Sequence, residues 1–148
     1  MGKTVILYYS KHHGNTKKLV DAIAKSDDID LIDVTETTSA DLSGYDKIGI
    51  ASGIYAGQFP KPMVKFVESN LPEGKPVFII ITSASGSEGY FNSMIKKVEG
   101  KGCKIIGKYS ARGYCTWGPF KIVGGVSKER PTEEEIGGAV DFYKKLSA

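Results

Sequence analysis

The chain has 148 residues, with 20 Lys and Arg against 17 Asp and Glu for a formal net charge of +3, and 41% of its residues are hydrophobic. This is the composition of one globular domain spanning residues 1–148, since a single core is normally built from about 100 to 200 residues. It excludes a disordered, collagen-like or disulfide-dense chain, and so small a positive surplus, without any dense Lys/Arg run, leaves no footprint for nucleic acid.

The longest apolar run, Val77 to Ile81, is far shorter than the roughly 20 residues of a membrane-spanning helix. Met1 leads directly into a strand-like block at Val5 without a signal-like apolar region, from which a cytoplasmic chain is expected. There Cys103 and Cys115 are expected as free thiols.

The first strand is Val5 to Tyr9, a continuous apolar run of the kind buried on both faces of a parallel sheet. A polar loop follows, and then Leu19, Val20, Ile23 and Ala24 recur at helical spacing. Ile29 to Val34 is interrupted by Asp30 and Asp33, which suits an edge strand. Ile48 to Ala51 is the third strand, and Met63, Phe66, Val67 and Leu71 form the stripe of the next helix, with Pro62 tolerated in its first turn.

Pro76 leads into Val77 to Ile81, the most buried-looking segment, and Phe91, Met94, Ile95 and Val98 make a third helical face. Cys103 to Ser110 is the fifth strand. The last helix begins at Thr132, where Glu135 completes a capping-box pattern, and it presents Ile136, Ala139, Val140 and Tyr143. Gly137 and Gly138 weaken it by roughly 1 kcal/mol each relative to Ala. Arg112 to Pro131 is a connection of about 20 residues, a length that is usually functional or hides local structure. Strands alternating strictly with helices predict a doubly wound α/β domain with a mostly parallel sheet.

In such sheets ligands bind beyond the carboxyl ends of the strands, so the loops at those ends belong together. The first is Ser10-Lys11-His12-His13-Gly14-Asn15-Thr16, opening onto a helix N-terminus whose free N–H groups suit a phosphate; a plain capping turn is its alternative reading. It lacks the three glycines of a dinucleotide-binding turn and the Gly-Lys-Ser/Thr ending of a P-loop. Nor do strands one and three end in the acids of a receiver domain, but in Tyr9, Ser10 and Ser52. The adjacent His12 and His13 diverge in a turn and find no third ligand at metal spacing.

The segment Tyr9 to Thr16 resembles the hydroxyl-rich, Gly-x-Thr loop with which the flavodoxin family holds the phosphate of FMN. Ser52-Gly53-Ile54-Tyr55-Ala56-Gly57-Gln58 and Thr82-Ser83-Ala84-Ser85-Gly86-Ser87 are similar to the two loops that enclose the flavin ring in that family, and they occur in the same order. The resemblance covers essentially the whole chain. It implies a flavodoxin-like sheet of five parallel strands in the order 2-1-3-4-5, flanked by helices on both faces.

It further implies FMN as cofactor, with Ser10, Lys11, His12, His13, Gly14, Asn15 and Thr16 around the phosphate. Ser52, Gly53, Ile54, Tyr55, Ala56 and Gly57 would lie on one side of the ring, and Ser83, Ala84, Ser85 and Gly86 at its polar edge. The chain departs from the family pattern where Lys11, His12 and His13 stand for Ser or Thr, and where no aromatic is evident after strand four except Tyr90, next to Gly89. Tyr55 and Trp117, the latter in an aromatic loop with Tyr114, Cys115 and Phe120, are the stacking candidates.

Three functions fit that resemblance. The reading adopted is FMN-dependent electron transfer; the alternatives are an FMN-dependent oxidoreductase acting on a quinone or porphyrinogen, since Gly57-Gln58-Phe59 and the following helix are also similar to flavodoxin-like protoporphyrinogen oxidases, and a flavin-free binding or regulatory module. Lys11, Lys61, Arg112, Lys121, Lys128 and Arg130 fall in or beside the site loops, opposed by Glu88 and Glu129. That surplus predicts a flavin less reducing than usual, and a redox partner protein or small-molecule acceptor that carries negative charge.

Overall fold

The computed structural model describes residues 3–9, 15–54, 58–83, 88–112 and 133–147. Its strands are β1 (Thr4–Tyr9), β2 (Ile29–Asp33), β3 (Lys47–Gly53), β4 (Pro76–Ser83) and β5 (Lys104–Arg112), and its helices are α1 (Asn15–Ser26), α2 (Lys61–Asn70), α3 (Asn92–Gly100) and α4 (Glu133–Ser147). A short 3₁₀ turn, Glu88–Phe91, precedes α3 and contains Tyr90.

The strands form one sheet in the order β2-β1-β3-β4-β5, and every neighbouring pair is parallel. The expected order and the placing of Ile29–Asp33 at an edge are both met. The reason for the edge position is visible in the burial: every residue of β2 is half-exposed, whereas β3 is buried from Ile48 to Gly53. A strand carrying Asp30 and Asp33 would bury unpaired carboxylates anywhere else in the sheet.

The pleat sorts the apolar runs between two layers. Val5, Leu7, Ile48, Ile50, Val77, Ile79 and Ile81 face α2 and α3, where Met63, Phe66, Val67, Met94 and Val98 close the core. Ile6, Phe78 and Ile80 face α1 and α4, meeting Leu19, Val20, Ile23, Ala139 and Tyr143. All of the helical stripes expected from spacing are therefore turned inward, with Ala24, Ile95, Ile136 and Val140 at their half-buried margins.

Two features escape the periodicity. The pairing of β4 with β5 slips by one residue, so that Val77 faces Ile105 but Phe78 faces Gly107. This bulge resets the phase of β5 and turns both Ile106 and Tyr109 toward α4. There Phe142, absent from the expected stripe, lies 6.2 Å from Phe78 and 5.6 Å from Tyr109 between ring centroids, while Phe78 and Tyr143 are 5.7 Å apart. Such pairs add about 0.5–1.5 kcal/mol each beyond burial.

The glycines of α4 also divide. A Cβ on Gly138 would run into the Tyr109 hydroxyl, which donates to the Glu135 carbonyl at 2.7 Å, while Gly137 faces open space. Gly138 is thus needed for the close approach of helix and strand, and Gly137 is not.

Candidate functional site

Parallel pairing brings the strand ends together at one edge. Tyr9 lies opposite Ser52, Gly53 opposite Thr82, and Ser83 opposite Arg112. The chain reverses direction across the sheet between β1 and β3, because β2 lies on one side of β1 and the remaining strands on the other. That reversal opens the crevice where this class of sheet receives ligands. Helix α1 starts at Asn15 beside it, so that its first-turn N–H groups, which have no partner within the helix, lie at the same edge.

The start of α1 is locked to β4. Thr16 is 1% exposed and Thr82 4%, and their hydroxyl oxygens share a hydrogen bond of 2.8 Å. Thr82 also accepts the Ile54 N–H at its carbonyl, at 2.9 Å, which carries the β3–β4 ladder one residue past the strand. Buried Ser52 donates its hydroxyl to the Gly53 carbonyl at 2.7 Å. Ahead of α2, Phe59 is 6% exposed in the core. Thr82, which opens the loop after strand four but was not among the residues expected to bind the cofactor, organises this edge; its signal in the sequence is a hydroxyl closing an otherwise apolar run.

On the α1 side of the edge, Tyr8 is half-buried opposite Asp33. Burial, and then the Asp33 carboxylate, push its phenol up from the usual value, with Lys17 acting in the opposite sense. Lys17 itself is held by Asp21 at 2.9 Å, and that bond raises its own ammonium. Among the described residues no three His, Cys, Asp or Glu side chains gather as a metal site. Cys103 is a buried free thiol that donates to the Pro72 carbonyl at 3.1 Å.

Of the residues expected to bind cofactor, the structure brings Thr16, Ser52, Gly53 and Ile54 together at this edge, with Asn15 opening α1 and Ser83 closing β4. Ser10, Lys11, His12, His13, Gly14, Tyr55, Ala56, Gly57, Ala84, Ser85, Gly86 and Trp117 lie outside the described residues. So do Cys115, the proposed cap Thr132 and most of the connection that begins at Arg112. Among the described residues no helix is long and apolar enough to cross a membrane.

The chain is similar to proteins of known sequence and structure. An uncharacterised protein of Methanocaldococcus jannaschii is 34% identical over 146 residues, covering 97% of each chain. A flavodoxin of Streptococcus pneumoniae superposes with a TM-score of 0.66 over 97% of both chains at 16% identity. A flavoprotein from Lactobacillus acidophilus, solved in complex with FMN, superposes with a TM-score of 0.57 at 22% identity, over 74% of this chain and 93% of that one. At such identities these two likenesses speak for the fold alone. The sequence model of the flavodoxin domain, however, matches residues 5–103, two-thirds of the chain, and by that match the chain belongs to the flavodoxin family.

Proposed function

We propose that this chain is a single-domain, cytoplasmic electron carrier that binds FMN at the carboxyl edge of its sheet. The observation that carries the reading is the N-terminus of α1 standing beside the reversal between β1 and β3. First-turn N–H groups at a crevice are a general solution for a phosphate. The residues at the edge fit a flat ring next to them: Ser52, Gly53 and Thr82 are small, and the Ser52 and Thr82 hydroxyls are turned to the Gly53 carbonyl and to Thr16. The FMN held by the Lactobacillus flavoprotein supports the choice of flavin.

In this reading Ser10, Lys11, His12, His13, Gly14 and Asn15 hold the phosphate. Thr16 contributes its backbone N–H, because its hydroxyl is engaged by Thr82 and serves to keep the first turn of α1 in place. The loops 52–57 and 83–86 flank the ring and exclude water from it, with Tyr55 and Trp117 as stacking partners. FMN, when bound, supplies the redox chemistry, and the chain supplies orientation and field. The lysines and arginines in and beside these loops favour the reduced ring and a negatively charged partner or acceptor.

The test is the visible absorption spectrum of the purified protein, before and after mixing with excess FMN and desalting. A retained two-banded yellow spectrum is expected. A protein that stays colourless through both treatments would overturn the reading.

A further inference from the structure

A groove of about 380 Å3 separates helix α2 from the segment that follows β2. This is the size of a small-ligand site. Its floor is apolar: Val34 and Phe66 are 4% and 2% exposed, and Pro62 stands beside them in the first turn of α2. The far wall is fixed by Asn70, whose side-chain amide donates to the Thr38 carbonyl at 3.0 Å and whose oxygen accepts the Ala40 N–H at 3.3 Å.

Polar groups are confined to the rim. Thr37 spends its hydroxyl on the Ser39 carbonyl at 3.0 Å, whereas the hydroxyls of Thr38 and Ser69 meet no partner among the described residues. Lys61 and Lys65 complete the lining, one helical turn apart and exposed. Neither is paired with a carboxylate among the described residues; Glu68, on the same helix, is taken by Lys97 at 2.8 Å. The exposed Glu36 of the facing segment is not part of the lining. Two ammonium groups on adjacent turns repel one another until an anion lies between them.

We propose that this groove binds a small amphipathic carboxylate, its apolar body on Val34, Pro62 and Phe66 and its head between Lys61 and Lys65. A neutral ligand would leave the two charges unanswered, and a strongly hydrated phosphate would leave the apolar floor unused. The lining shares only Lys61 with the cations counted beside the flavin loops, and Lys65 belongs to the groove alone, so loss of octanoate binding in the Lys65 variant with the flavin spectrum kept separates this proposal from the flavin reading.

The test is an amide chemical-shift titration of the full chain with octanoate, and with 1-octanol as the neutral counterpart, at millimolar concentration. Saturable shifts confined to residues 34–39 and 61–69 are expected with octanoate. Lys61→Gln and Lys65→Gln, both on exposed side chains, should each weaken octanoate by about threefold, the ordinary worth of one exposed ion pair, and leave octanol unaffected. Shifts located elsewhere, octanol binding as tightly as octanoate, or octanoate affinity indifferent to both lysines would each overturn the proposal.

Discussion

The bond between Thr16 and Thr82 sets a helix against a strand through two hydroxyls with almost no access to water. Thr16→Val would strand the Thr82 hydroxyl in the interior, and a buried group left unpaired costs about 1–3 kcal/mol. Replacing both by Val removes the orphan, so the double variant should be more stable than the sum of the single losses implies. Urea unfolding of the four proteins measures this, and strict additivity would show that the bond contributes nothing. A second residue-scale prediction concerns pH. Tyr45 donates to Asp30 at 2.6 Å, which pushes its phenol from 10.0 up to about 12 and, from the other side, holds the Asp30 carboxyl below its ordinary value of 3.8. A raised phenol stabilises the fold fully below its unfolded value and loses that contribution as pH climbs through the folded one; a lowered carboxyl is the mirror case, lost as pH falls. Tyr45→Phe should therefore flatten both limbs of the melting temperature against pH, the acid limb only in part because Lys3 also lies 3.4 Å from Asp30. An alkaline limb unchanged by the substitution would contradict this.

Helix α4 makes the element-scale prediction. Gly137→Ala should stabilise the protein by roughly 1 kcal/mol, the helix-propensity difference, since nothing stands in the way of the new methyl group. Gly138→Ala should destabilise it, because Tyr109 would have to leave both the helix surface and the Glu135 carbonyl. Thermal unfolding of the two variants checks the opposite signs. Sequence reasoning treated these glycines alike, as it had to, because their difference lies in a strand about thirty residues away. The elements themselves were legible: continuous apolar runs marked β1, β3 and β4, and spacing of three and four marked the buried stripes of all four helices. The bulge in β5 was not. Ile105 and Ile106 belong to an unbroken apolar pair, and such a run shows no phase to be reset. Phe142 was missed for the same reason, since it enters the core only after the bulge has brought Tyr109 round to meet it.

At the scale of the molecule the net charge of +3 sets the sign of the expected field. If the flavin loops carry the surplus of Lys and Arg to the ring, the FMN-loaded, reduced protein should reduce anionic ferricyanide faster than a cationic hexaammine complex of comparable driving force, by about tenfold at low salt. The difference should close as ionic strength rises, because the screening length falls to about 10 Å at 0.1 M. Stopped-flow traces at a series of salt concentrations measure it, and equal rates at low salt would show that these charges do not govern the encounter.

The sequence by itself determined the alternation of strands and helices, the inward faces of the helices and the exposed character of β2, because these follow from periodicity within a few neighbouring residues. The loops that bear the resemblance to flavodoxins were also readable, since each is a short run. Only the tertiary structure decided that Thr16 meets Thr82, sixty-six residues away, that Tyr109 requires Gly138, and that Lys61 and Lys65 border an apolar groove closed by the segment after β2. These are contacts between distant parts of the chain, and local spacing carries no record of which strands will lie side by side.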